Sequence, residues 1–260
     1  MLLGWVRAIL LQFAHPLIAA GVAEHSSFRG GTGAALSRLH HTVGAMLALT
    51  FGGEDDRERA LEAIRTIHRR VHGSLPESCG RFPAGTPYSA EDPALLLWVH
   101  ATLIDSILRV YDRLIAPLSE TDRDAYCVDA AEVATALGAH AHDVPRSWRS
   151  LQAYLDAQYA SGVIEPCTQA RVLAAALLAP SASALMVPIT AIVQLVGAGM
   201  LPRQLRRAYG FEWSRRRERS FRAVMATLRL ARRVAPPFIA WWPAARRRVS
   251  ATRFGLISGP

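Results

Sequence analysis

Apolar residues recur along this chain at helical spacing, and no run alternates convincingly between apolar and polar, so the pattern predicts an all-helical protein. The first predicted helix runs from about Leu3 to His25 and is bent or interrupted at Pro16, with a Gly30-Gly31-Thr32-Gly33 loop behind it. A second covers roughly Ala34 to Phe51 and is ended by Gly52-Gly53. Glu54-Asp55-Asp56 then supplies the acidic first turn that favours a third, Asp55 to Val71. A loop rich in Gly, Pro and Ser follows, from Gly73 to Tyr88. Ser89 to Pro93 opens a fourth helix that continues through Leu95-Leu96-Leu97-Trp98-Val99-His100 to about Ile115. Ser119 with Asp122 forms a capping-box pattern for a fifth, to about Leu137. Shorter helices are predicted near Ser147 to Ser161 and Pro166 to Leu178, and the last spans about Ser214 to Arg233 before Pro236-Pro237. Ser183 to Met200 is almost wholly apolar, but Pro188, Thr190, Gln194, Gly197 and Gly199 favour a buried or interfacial helix over a membrane span.

Length and composition fit a single helical domain over residues 1–260, with a basic, aromatic tail at 235–260. Hydrophobic residues make up 51% and charged residues 20%, which excludes a disordered chain. All 30 basic side chains are arginine, and the net charge is +9. Toward the C-terminus these arginines interleave with Trp213, Phe221, Trp241 and Trp242, a mixture suited to peripheral contact with a membrane surface, although such charge runs are equally often just solvated. With no helix-turn-helix or stacking platform in view, nucleic acid is not expected as a partner. Cys79, Cys167 and Cys127 lie too far apart for zinc or redox motifs, and a disulfide framework is not expected. His15-Pro16 interrupts the apolar stretch after Arg7, which therefore reads as a core helix and not a cleaved leader. The expected location is cytoplasmic or peripheral to the inner face of the membrane.

Histidine carries the candidate chemistry. Of nine in the chain, seven fall within the first hundred residues, as a metal or haem site would produce. Leu61, Ile64, Ile67, His68 and Val71 share one face of the third helix, which turns His68 inward among aliphatic side chains. His100 repeats the pattern among Leu96, Leu97, Leu103, Ile104 and Ile107. A lone inward histidine is more often a core residue bonded to a carbonyl; two on neighbouring helices shift the balance toward a ligand role. His68 and His72, four apart, together with the His40-His41 pair, also permit a non-haem metal site, though no set of about eight ligands accompanies them. On the second helix Arg38 and Thr42 face the same way, a pair able to hold a propionate or bound dioxygen, or simply a surface arginine beside a backbone-bonded threonine. Glu24 stands beside His25, where a carboxylate could act as a base.

Leu11 to Ser26, Arg38 to Thr42 with Leu49-Thr50-Phe51-Gly52, Ile67 to Gly73, and Tyr88 to Ser106 closely resemble, in order, the family containing the MpaB oxygenase and the latex-clearing rubber oxygenases. Gly199-Met200-Leu201-Pro202, Arg206, Tyr209-Gly210 and Trp213-Ser214 extend the resemblance over nearly the whole chain. It implies a globin-like bundle of about eight or more helices around one buried haem b, activating dioxygen to cleave carbon–carbon double bonds of an apolar, isoprenoid-type substrate. Carried over residue by residue, the axial ligand falls on His68, the distal pair on Arg38 and Thr42, a pocket histidine on His100, and the catalytic carboxylate nearest to Glu24. One position departs: the rubber oxygenases have a lysine before the threonine, where this chain has His41, a residue able to take the sixth iron position. The alternatives are a haem- or lipid-binding helical protein without turnover at the membrane surface, and a non-haem iron enzyme.

Overall fold

The computed structural model describes residues 2–25, 44–45, 48–49, 52–179 and 187–234. Ten helices and one two-stranded sheet occur among them: α1 Leu2–Phe13, α2 Pro16–His25, α3 Glu54–His68, β1 His72–Ser74, β2 Pro87–Ser89, α4 Pro93–Leu114, α5 Glu120–Leu137, α6 Trp148–Ala160, α7 Thr168–Leu177, α8 Val187–Gly199, α9 Arg203–Ala208 and α10 Arg215–Val234. The all-helical expectation holds.

Local chemistry sets most boundaries. Pro16 cannot donate a backbone hydrogen bond and disfavours a helical residue before it, so the expected bend becomes a break of 106° between α1 and α2. Asp92 caps α4 by accepting from the Ala94 amide at 2.8 Å, with Pro93 at the first helical position. Ser119 and Asp122 form the capping box at the start of α5, and Ser147 with Ser150 forms another at α6.

α4 is the central element, packed by α1, α5, α6 and α10. Its Trp98, Ala101, Ile104 and Leu108 meet Leu10 and Leu11 of α1, Leu151 and Leu155 of α6, and Leu173 of α7 in the main core. Its length and hydropathy would let it cross a membrane, yet two-thirds of that apolar window is covered by its own neighbours. The apolar segment after residue 180 is described as the shorter α8, whose buried end, Val196 to Gly199, packs on α10. A Cβ on Gly199 would stand 2.5 Å from the Phe221 ring, so that helix contact requires glycine. Arg7, 2% exposed, bolts α1 to α4 with an ion pair to Asp105 at 2.7 Å and bonds to Ser106 Oγ and the Met200 carbonyl.

Two expectations are corrected. The loop from Gly73 to Tyr88 begins and ends in a short antiparallel ladder, pairing His72 with Ser89, Gly73 with Tyr88 and Ser74 with Pro87. Strands of three residues are too short to display alternation. Cys79 and Cys167, expected to be unpaired, are joined as a disulfide with Cα atoms 5.9 Å apart. Folding lays the loop over the start of α7, a proximity invisible in a separation of 88 residues.

Candidate functional site

His68 is the last residue of α3, and its carbonyl closes the following turn by accepting from the Val71 amide at 3.0 Å. Leu61 is buried and Ile64 half-buried on the same helical stripe. Ile67, expected on that face, is 61% exposed, because it stands about 100° around the helix from His68. Val71 lies beyond the helix end, as does His72, which opens β1. The four-residue spacing of His68 and His72 therefore does not place them on one helical face. Burial holds the His68 imidazole below its ordinary pKa, partly opposed by Glu91, and its ring has no hydrogen-bond partner among the described residues. A neutral ring with a free nitrogen lone pair is the form that binds a metal ion.

His100 lies midway along α4, where burial alone pushes its pKa down to about 4. Its ring, too, lacks a hydrogen-bond partner among the described residues. With Val99, Leu103 and Ile107 it forms a stripe of half-buried side chains, while Trp98, Ala101 and Ile104 on the other side of the helix are fully packed. None of the three aliphatic residues joins a described core cluster. This apolar stripe with one neutral imidazole is chemically suited to the face of a flat, greasy cofactor, as His68 is suited to its metal.

Glu24, in the last turn of α2, accepts a hydrogen bond from the Tyr88 hydroxyl of β2. Burial raises the Tyr88 pKa, reinforced by the bond and charge of Glu24, so the phenol keeps its proton and donates. Gly73, paired with Tyr88, leaves room for this contact: a Cβ there would lie 2.6 Å from the tyrosine oxygen. Next to it, His25 Nε2 is 3.1 Å from the His72 carbonyl, and the His25 and Tyr88 rings meet edge to face. The chain leaving His68 is thus clamped to the end of α2 within four residues, which limits how far that histidine can move. Tyr88 was legible only as part of a motif, since nothing in its spacing announces a partner 64 positions away.

His15 sits at the break between α1 and α2, 5% exposed, with no partner for its Nδ1 among the described residues and its ring 5.6 Å from that of Phe82. Its pKa is lowered to about 4 by burial, slightly offset by Asp92. Arg38, Thr42 and His41 fall outside the described residues. No group of three or more His, Cys, Asp or Glu side chains able to hold a metal occurs among the described residues. Two cavities of about 560 and 840 Å³ lie elsewhere, around α9 and the adjoining ends of α4 and α10, and neither is lined by His68, His100 or Glu24.

The chain is 28% identical over 236 residues to the uncharacterized proteins Rv2237 of Mycobacterium tuberculosis and Mb2261 of Mycobacterium bovis, covering 88% of this chain and 87% of each relative. No solved structure matches. The catalytic domain described as ER-bound oxygenase mpaB/B'/Rubber oxygenase matches residues 1–230, with the His68, His100 and Glu24–Tyr88 motifs inside that span, and the chain belongs to this family.

Proposed function

We propose that this protein is a haem-b-dependent oxygenase with His68 as the iron ligand, acting on an apolar, unsaturated and isoprenoid-type substrate. The observation that carries the reading is His68 itself: a neutral imidazole, partly buried and without a hydrogen-bond partner among the described residues, at the position where the motif resemblance puts the ligand. Bound there, haem b would supply an iron that activates dioxygen for oxidative cleavage of a carbon–carbon double bond.

This chain's own residues do the rest. The Tyr88–Glu24 and His25–His72 contacts fix the segment that follows His68. Val99, Leu103 and Ile107 offer aliphatic surface for the cofactor or substrate and keep water away from it. Burial keeps His100 uncharged at neutral pH, so it can act as a hydrogen-bonding or packing group without adding a second positive charge. By the same resemblance Arg38 and Thr42 would donate hydrogen bonds to dioxygen or a propionate, and His41 would be a further residue able to hold the iron. Glu24, which accepts a bond from Tyr88, is the nearest match to the family's catalytic carboxylate and would act as the base.

The test is an absorption spectrum. The purified protein should show a Soret band that His68→Ala abolishes while helical content persists, and a variant retaining the full band overturns the assignment. A second reading, a haem- or lipid-binding protein without turnover at a membrane surface, is favoured by one observation. Exposed Val187 and Ile189 lie at the start of α8, and exposed Leu230 and Val234 at the end of α10 beside Arg232 and Arg233. Oxygen uptake with polyunsaturated or isoprenoid substrates, yielding carbonyl products, separates the two readings.

A further inference from the structure

The two cavities around α9 are neighbours, sharing Arg203, Arg206 and Glu218 as wall residues. Together they are lined by nine arginines against four carboxylates. Two of those carboxylates are already committed. Asp105 is buried between Arg7 and Arg109, and Glu218 accepts from Trp213 Nε1 and Arg222 Nε, each at 2.8 to 2.9 Å. Arg113, Arg203, Arg207, Arg215 and Arg219 make no ion pair among the described residues.

The floor of this region is rigid. Arg206, 8% exposed, donates to the Gly199 carbonyl at 2.8 Å and stacks on Trp213, 4.5 Å from the ring centroid. Arg7 is locked by its bonds to Asp105, Ser106 and Met200. Arg109 is held by Asp105 and Gln152. Arg113 then lines the same cavity as these two guanidinium groups. Like charges gathered around a concave surface and anchored by buried partners form a field that a multivalent anion offsets best. The planar donors of arginine match phosphoryl oxygens in pairs, and their spread over two adjoining lobes suits two linked phosphoryl groups better than one.

We infer that this two-lobed arginine cavity is a binding site for a diphosphate group, separate from the site of His68 and independent of the haem reading. Arg113 and Arg203 supply the free donors, and Arg206 fixes the wall between the lobes. The diphosphate belongs either to a soluble molecule or to a lipid whose headgroup carries two linked phosphoryl groups; the chemistry of recognition is the same.

Titration of the full-length protein with inorganic pyrophosphate, followed by calorimetry at constant ionic strength, tests the inference. Saturable binding is expected, tighter than for sulfate or orthophosphate. Arg113→Gln and Arg203→Gln should each weaken it by about tenfold or more, the loss of one charge-assisted contact. Both side chains are exposed, so the melting temperature should not move. Arg57→Gln, on α3 at an exposed ion pair with Glu132 of α5, should leave binding unchanged. Absence of binding at millimolar pyrophosphate, equal affinity in the double variant, or an equal loss in Arg57→Gln overturns the site. Co-sedimentation with phosphatidylcholine vesicles containing CDP-diacylglycerol, whose headgroup holds a diphosphate, identifies the source: vesicle binding lost in the double variant points to a headgroup, and vesicle binding retained while pyrophosphate affinity is lost points to a soluble diphosphate.

Discussion

Replacing Asp105 with asparagine probes the bolt between the first helix and the central one. Asp105 is 1% exposed and takes the Arg7 guanidinium at 2.7 Å, Arg109 Nε at 2.8 Å and Gln152 Nε2 at 2.8 Å. Burial on its own would raise the Asp105 pKa; Arg7 and Arg109, with the bonds from Gln152 and Arg109, outweigh it and hold the carboxyl below the usual range. Asparagine keeps the shape and removes the charge, leaving Arg7 buried with no counterion. Breaking a buried pair from one side costs about 3–5 kcal/mol. For a chain of this size that corresponds to a fall in melting temperature of roughly 6–20 °C. Urea denaturation at pH 7, followed by circular dichroism, gives the free energy directly. The paired replacement Arg7→Met with Asp105→Leu should recover most of the loss, since removing both charges also removes the desolvation penalty. A single variant within ~0.5 kcal/mol of the wild type, or a double variant no more stable than the single, would refute the claim that this ion pair is a closed, buried unit.

The same carboxyl predicts an acid limb: its stabilising effect is complete above its unfolded pKa of about 3.9 and is lost as pH falls through the depressed native value, so stability should drop further below pH ~4. His15 acts in a higher window, because a native pKa of about 4 against 6.5 means the unfolded chain binds more protons between those values. Unfolding free energy should therefore decline as pH falls from 6.5 toward 4, and His15→Gln should make that slope shallower by up to ~1.4 kcal/mol per pH unit; an unchanged slope would show that His15 is not buried as a neutral ring. Gly73→Ala should cost about 1–3 kcal/mol by forcing the Tyr88 hydroxyl off Glu24, whereas Tyr88→Phe alone should cost about 1 kcal/mol, both read from urea midpoints. Reducing the Cys79–Cys167 bridge should lower stability by about 4.6 kcal/mol, the loop-closure value for its span, and Cys167→Ser should abolish the response to reductant.

Where the controlling physics is local, the sequence foretold the structure. Period, caps and prolines placed the helices from residue 93 to 178 to within a few residues, because each boundary depends on groups only two to four positions apart. The candidates His68 and His100 were picked out by their apolar company on a helix, although of the expected neighbours of His68 Ile67 points about 100° away from it and Val71 falls beyond the early end of α3. A periodic pattern cannot say where packing stops a helix. Arg38, Thr42 and His41 rest on motif order alone, since they lie outside the described residues.

The amino-acid order by itself determined an all-helical chain, its caps and breaks, and the family to which its motifs belong. Tertiary structure alone decided that Arg7 would meet Asp105, that Tyr88 would clamp Glu24, that Cys79 would join Cys167, and that the arginines around α9 would share one concavity. Each of these pairings spans from 64 to 98 positions or gathers separate helices, and such contacts are chosen by how apolar faces pack, a collective property of the core that no local pattern encodes.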